Sequence, residues 1–345
     1  MSDIKFGNYI PAPAFKLPTI LQSVQAAEKA GFDSIWLADH LAMLPVGYCP
    51  EVWSILGGLA LSTKSVMLGT GVTDPHRRHP VLLAQTLATL DQMSQGRMVL
   101  GIGPGEAMNL DPYGIPWNRP VARMVEAITI LRQLWAEPSV TYKGEFFHLK
   151  NAGLFIDPLI REQIPIYIAG NRPRTRQITG ELGDGWFPMG ESPALYKKHA
   201  AEVAQSAQRA GRSSTDLDYA LMTYTAIADD FKSAFRRVEL TRMVFAADTH
   251  KLEEGYGLHL EEELNISQAT PSSEFVGKLQ NVAEKITDTI ITDLTVIGTG
   301  EEVLEKIDRF IKAGLTHLVV LNRGPDVQHV YKVYGEQIIP YFKEQ

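Results

Sequence analysis

Short apolar runs alternate with longer segments of helical period along most of the chain. The first run, Ile4–Ile10, has the length of a buried strand. After it, "LPTILQSVQAAEKAGF" places Ile20, Val24, Ala27 and Ala30 at helical spacing and stops at Gly31, a residue that readily takes the left-handed conformation closing a helix. The pair then recurs: "SIWLADH" with "PEVWSILGGLALST", "SVMLGTGVT" with "HPVLLAQTLATLDQMSQG", and "RMVLGIG" with "RPVARMVEAITILRQLWAE". It continues with "IPIYIAG" and "RTRQITGELG", then "GWFPMG" and "ALYKKHAAEVAQSAQRAG". "LDYALMTYTAI" is a seventh strand, and "THLVVLN", preceded by the helix "GEEVLEKIDRFIKAG", an eighth. Such strict alternation predicts parallel pairing, and eight units are what a (β/α)8 TIM barrel needs to close; an open doubly wound sheet is the competing arrangement. One domain over residues 1–345 is expected.

Two segments break the alternation. "VTYKGEFFHL" clusters Val, Tyr and Phe around Lys143-Gly144, which predicts a hairpin inserted after strand four. Residues 231–293, between strand seven and the last helix, are too many for one crossover. The charged piece "DTHKLEEGYGLHLEEELN" within them predicts an insertion that lids the barrel mouth.

Composition narrows the function classes. With a net charge of −7 and no concentrated Lys/Arg cluster, a nucleic-acid groove is excluded. Cys49 is the single cysteine, so neither an intrachain disulfide nor a cysteine-based metal site is available. No segment approaches the roughly 18 apolar residues of a membrane span, and "MSDIKFGNYIPAP" lacks a signal-peptide run. A cytoplasmic protein is expected.

In barrels of this kind the chemistry sits at the carboxyl ends of the strands. That rule selects Asn8, Asp39-His40, Gly71 to Asp74, Gly105-Glu106, Asn109, Gly170-Asn171-Arg172, Met189 and Asn322. Asp39-His40 is the leading pair, because an imidazole titrates near neutrality and a neighbouring carboxylate can orient it; a loop cap beside a buried histidine is the plain alternative. "LGIGPGEAMN" resembles a dinucleotide fingerprint but has Glu106 where the third glycine belongs, and no helix follows at once. It reads instead as a strand ending in a glycine loop, with room for a flat ligand and one acid. Two glycines in "GTGVT" weaken a strand unless something approaches closely, a ligand or a packing neighbour. "AGNRPRTR" sets Gly170, Asn171 and arginines at a helix N-terminus, a natural anion site. "HRRHP" offers two more arginines for an anionic tail, or simply surface charge; His76 and His79 have no acid or histidine at metal spacing, so no metal is expected. There is no G-x-S-x-G elbow and no P-loop.

"WLADH", "LGTGVTDPHRRHPVLLAQTLATLDQMSQGRMVLGIGPGE", "YIAGNRPRTRQITGELGDGW" and "TVIGTGEEVLEKIDRFIKAGLTHLVV" resemble the bacterial-luciferase-like superfamily over nearly the whole chain. "DH", "GVTDPHRRHP" and "GPGEAMN" are similar to its coenzyme F420 branch, which includes methylenetetrahydromethanopterin reductases, F420-dependent glucose-6-phosphate and alcohol dehydrogenases, and phthiodiolone ketoreductases. The resemblance implies a TIM barrel that transfers hydride between the deazaflavin and a small substrate, either a methylene-pterin or a ketone/alcohol. His40 and Glu106 match the acid/base positions. Asp39, Gly71, Val72, Pro104, Gly105, Glu106 and Asn109 would contact the ring and side chain, with Gly71–Val72 a candidate non-proline cis peptide. Gly170, Asn171 and Arg172 would take the phosphate end. A homodimer is implied as well. The chain departs from the family at Leu44, where the sugar and alcohol dehydrogenases carry Trp, and at Asn8 and Glu106, where the methylene reductase carries Glu and Asp. An FMN-dependent monooxygenase of the same fold, and a non-catalytic cofactor-binding or partner subunit, are the two other outcomes.

Overall fold

The computed structural model describes residues 4–10, 17–42, 49–159, 164–269, 272–323 and 327–344. The first four strands are β1 (Lys5–Ile10), β2 (Ser34–Leu37), β3 (Met67–Thr70) and β4 (Met98–Ile102). Between and after them run helices α1 (Leu17–Lys29), α2 (Val52–Ser62), α3 (Pro80–Ser94) and α4 (Pro120–Ala136). Proline at the first position opens α3 and α4, where its missing N–H costs nothing. The expected hairpin follows as β5 (Val140–Lys143) and β6 (His148–Ala152), paired antiparallel with Lys143 opposite His148.

The barrel resumes with β7 (Ile166–Ile168), α5 (Pro173–Leu182), β8 (Gly185–Trp186), α6 (Pro193–Arg209) and β9 (Asp218–Ile227). Residues 231–293 form α7 (Phe231–Val238), α8 (Arg242–Phe245), α9 (Thr249–Tyr256), α10 (Ser273–Ala283) and most of α11 (Asp288–Leu294). Then come β10 (Val296–Gly298), α12 (Gly300–Lys312), β11 (His317–Asn322), α13 (Val327–Val333) and α14 (Ile339–Lys343). A Thr299/Glu302 capping box starts α12.

The parallel order β9-β11-β1-β2-β3-β4-β7-β8 closes on itself through a β8–β9 pairing, which makes the eight-stranded barrel. The strand phases match the sequence expectation. The exception is β10, three residues that add to the end of β9 from Val296↔Thr225 to Gly298↔Ile227. So short a run carries no period of its own.

Two apolar cores result. The outer one lies between sheet and helices. The inner one fills the barrel with Tyr9, Trp36, Val99, Tyr167, Phe187, Val319 and Leu321, and runs on without a break into Phe245, Leu252, Leu279 and Ile290 of α8 to α11. The inserted helices therefore pack on the barrel interior itself. Large rings inside need bare backbone opposite them: a Cβ on Gly69 would stand 2.9 Å from the Trp36 ring, and one on Gly185 2.6 Å from Tyr167.

Gly101 has the strictest requirement. A Cβ there would lie 1.9 Å from the Thr70 carbonyl oxygen, because the chain after β3 bulges inward and its backbone occupies that space. Thr70 Oγ1 and Thr73 N both donate to the Gly101 carbonyl, at 2.7 and 2.9 Å, and lock the bulge against β4. Gly101→Ala is expected to destabilise the fold by about 3 kcal/mol, the upper end of ordinary overpacking. Chemical unfolding measures it; a loss under about 1 kcal/mol would mean that the bulge moves freely.

Candidate active site

Glu106 precedes a 3-10 turn, Ala107–Asn109, in which residues three apart share a face. The Glu106 carboxylate and the Asn109 amide therefore lie side by side: Asn109 Nδ2 donates to Glu106 Oε2 at 3.1 Å. The same nitrogen stands 2.8 Å from His40 Nδ1, just beyond β2, and Glu106 Oε2 is 3.5 Å from that ring nitrogen. Three residues from two strand ends thus meet as one cluster.

The orientation of Asn109 follows from its other contacts. Its Oδ1 accepts the backbone N–H groups of Leu41 and Ala42, at 2.8 and 2.9 Å, so the NH2 end must face His40. A neutral His40 then accepts at Nδ1 and carries its proton on Nε2. Nε2 has no protein partner among the described residues. If the ring is charged, Nδ1–H turns to the Glu106 carboxylate and the Asn109 donor serves Glu106 alone. Each protonation state of the imidazole has its own partner in place.

Asp39, one residue before His40, is engaged by its protein neighbours. Its carboxylate accepts from Thr73 Oγ1 at 2.6 Å and pairs with Arg77 Nη2 at 3.1 Å. Arg77 in turn donates from Nε to Asp74 at 2.5 Å, and Asp74 accepts the backbone N–H of His76 and Arg77. The half-buried guanidinium is clamped between two carboxylates, which already neutralise it. Burial pushes its pKa down, but the charges of Asp39 and Asp74 outweigh that and raise it. Arg78 pairs with Glu51. The tripod of Asp39, Thr73 and Arg77 fixes the loop after β2 and with it His40.

Gly71–Val72 is a cis peptide bond not involving proline, as the resemblance implies. It sits directly over the barrel contents: a Cβ on Gly71 would be 2.9 Å from the Tyr9 ring. The glycines of β4 act indirectly. Gly101 and Gly103 admit the Thr70–Val72 bulge, and the half-buried Val72 lies above them against the inner core. Gly105 takes φ +84° and packs against Asp74 and His76, while the Pro104 carbonyl accepts from His76 Nε2 at 3.1 Å and Trp117 Nε1 at 3.2 Å.

At the mouth of β7 the Gly170 carbonyl accepts from Trp186 Nε1 at 2.9 Å, and Asn171 Oδ1 accepts from Met189 N at 3.2 Å. These bonds hold the loop at the N-terminus of α5. Arg172, expected at the phosphate end, pairs with Asp248 of the inserted segment at 3.0 Å. Lys251 of α9 also reaches the mouth, donating to the Met189 carbonyl at 2.6 Å and lying 3.4 Å from the buried Glu191.

Asn8 faces the helices, with Nδ2 bonded to Tyr331 OH at 2.8 Å; its neighbour Tyr9 is the residue that enters the mouth. Burial first, then the charges of Tyr224 and Glu106, push the Tyr9 phenol far up, so it stays a neutral donor. Leu44, where the expected indole is missing, lies outside the described residues. No group of side chains able to hold a metal occurs among the described residues, and no described helix is long and apolar enough to cross a membrane.

A closed (β/α)8 barrel with a polar cluster at the carboxyl ends of β2 and β4 is an enzyme scaffold that hosts many chemistries. The family model described as luciferase-like monooxygenase matches residues 2–317, and the chain belongs to that family. It is 33% identical, over 99% of its length and 100% of the relative's, to the 5,10-methylenetetrahydromethanopterin reductase of Archaeoglobus fulgidus. The F420-dependent glucose-6-phosphate dehydrogenase of Microbacterium testaceum is 29% identical over 99% of this chain and 98% of its own. Among solved structures, an F420-dependent secondary alcohol dehydrogenase bound to an F420–acetone adduct superposes with TM-score 0.83 at 26% identity, covering 97% of this chain and 98% of its own. The coenzyme F420-dependent tetrahydromethanopterin reductase of Methanopyrus kandleri reaches 0.85 at 25% identity, covering 99% and 100%.

Proposed function

We propose that this protein is a coenzyme F420-dependent oxidoreductase acting on a carbonyl/alcohol or methylene-pterin substrate. The observation that carries this is the His40–Asn109–Glu106 cluster at the mouth of a luciferase-like barrel whose full-length relatives are named as F420-dependent enzymes. The residues suit a flat, anion-tailed cofactor: the Gly71–Val72 peptide and Val72 form a side-chain-poor ledge beside the cluster, and α5 opens at a loop carrying Arg172. When bound, the deazaflavin supplies two-electron hydride chemistry. The protein's part is alignment and the movement of one proton.

In the reducing direction the charged His40 gives its Nε2 proton to the substrate oxygen as the carbon gains hydride. The neutral ring left behind keeps its proton on Nδ1, facing Glu106, and reaches the Nε2–H form that Asn109 selects by exchange with solvent. In the oxidising direction the Nδ1–H form accepts the substrate proton at Nε2. The helices from α7 to α11 cover one side of the mouth and exclude water from it. We also infer a homodimer, which sedimentation tests.

Anaerobic titration with deazaflavin and with FMN separates this reading from the monooxygenase one. Binding of deazaflavin with weak or no FMN binding is expected, and tight FMN binding alone would overturn it. A panel of methylene-pterin, ketones, secondary alcohols and sugar phosphates, followed at the cofactor band, then identifies the substrate.

A further inference from the structure

Four cations around the mouth face carboxylates. Arg77 lies between Asp39 and Asp74, Arg78 meets Glu51, Arg172 meets Asp248, and Lys251 lies beside Glu191. Arg323, the residue after β11, is exposed and has no carboxylate partner among the described residues. Its backbone N–H donates to Thr225 O at 2.9 Å, which ties it to the end of β9. Its guanidinium stacks over the buried Tyr224 ring, 5.2 Å from the centroid.

That ring leads back to the catalytic cluster. Tyr9 and Tyr224 are both in register with Leu321, and all three side chains belong to the inner core, so they stand at one level across β1, β11 and β9. Tyr9 in turn feels the charge of Glu106. A molecule seated on Tyr9 with its reacting carbon near His40 would extend over Tyr224 to Arg323. A guanidinium over an aromatic face still has donors in the fork geometry that matches carboxylate or phosphate oxygens.

We propose that Arg323, on its Tyr224 platform, binds a phosphate or carboxylate group of the substrate, so that the enzyme prefers an anionic substrate to a neutral one. This rests on the hydride-transfer reading of the same mouth. The cofactor's own anionic tail is the other source of such a group, although the expected phosphate end lies at Arg172 after β7, three strands round the barrel from β11.

The test compares the wild type with Arg323→Gln and Arg323→Lys, using inorganic phosphate as the probe. Calorimetry is run on the protein alone and on the protein loaded with deazaflavin, with thermal unfolding to verify that each variant is folded. Phosphate binding to the loaded wild type is expected, weakened about tenfold in Arg323→Gln, the size of one charge-assisted contact, and less in Arg323→Lys. Deazaflavin affinity should stay within about twofold in both variants. Equal phosphate affinity in wild type and Arg323→Gln, or no phosphate binding by the wild type, overturns the proposal. A parallel loss of deazaflavin affinity assigns Arg323 to the cofactor tail and also overturns it. Failure of the wild type to bind deazaflavin overturns the hydride-transfer reading instead, and the phosphate comparison on the unloaded protein still decides whether Arg323 is an anion site.

Discussion

Replacing His40 by alanine is expected to lower turnover by about 10²–10⁴-fold, the usual contribution of one positioned proton donor or acceptor. Cofactor affinity should change little, because the ring binds through the Asn109–Glu106 side of the mouth and presents only Nε2 outward. Single-turnover absorbance traces at saturating cofactor read the chemical step, and equilibrium titration reads the affinity. Unchanged turnover would remove His40 from the mechanism. A loss of affinity as large as the loss of turnover would make it a binding residue instead. The effect should be confined to the proton: Asn109 still has Leu41 N, Ala42 N and Glu106 as partners when the imidazole is gone, so the loop keeps its shape.

The second large effect lies at the opposite end of the barrel. Asp218 is half-buried on β9, where its carboxylate meets His317 Nδ1 at 3.1 Å, Lys5 Nζ at 3.0 Å, and the hydroxyls of Thr316 and Tyr167. His317 Nε2 lies 2.7 Å from Ser34 Oγ, which also accepts from Trp36 Nε1 at 2.8 Å. The arrangement repeats the order of a Ser-His-Asp triad, but Ser34 and His317 are wholly buried at the amino ends of the strands, where barrels keep stability residues. Burial pushes the Asp218 carboxyl up; the hydrogen bond and charge of His317, with Lys5 and Thr316, outweigh it and hold the group far below the ordinary carboxylate range.

The sign of the pH effect follows from that depression. A carboxyl whose folded pKa is lowered contributes its full stability above the unfolded value near 4 and loses it progressively as pH falls below that value. Asp218→Asn leaves His317 and Lys5 without their anion, and a loss of about 3–5 kcal/mol at neutral pH is expected, as for breaking a buried pair. Thermal unfolding followed between about pH 2.5 and 7 should show a shallower acid slope in the variant than in the wild type. Parallel slopes would mean that Asp218 is not the group that titrates. Activity per folded molecule should not change, which separates this network from the catalytic one.

How much of this was legible beforehand depends on distance along the chain. Helix caps, the Gly-terminated helices, the hairpin turn and the strand–helix alternation are local, and apolar period with turn chemistry is enough to read them. Glu106 and Asn109 are three apart, so one 3-10 turn brings them together, and His40 stands out by residue type at a strand end. Other features needed the closed barrel. β1 is buried on both faces except at its first residue, so no polar alternation tells which of Asn8 and Tyr9 enters the mouth. The Asp39–Arg77, Arg172–Asp248 and Asp218–His317 pairs join residues 38 to 99 positions apart, and no local pattern tells which partner each one takes. The sequence by itself determined the eight strand–helix units and marked His40 and Glu106 as candidates at strand ends. Only the tertiary structure decided that Asn109 turns its NH2 end to His40, that Asp39 pairs with Arg77, and that Arg323 lies over Tyr224 with no carboxylate partner among the described residues. The reason is that partner choice between charges is settled by which strand ends the closed barrel makes neighbours.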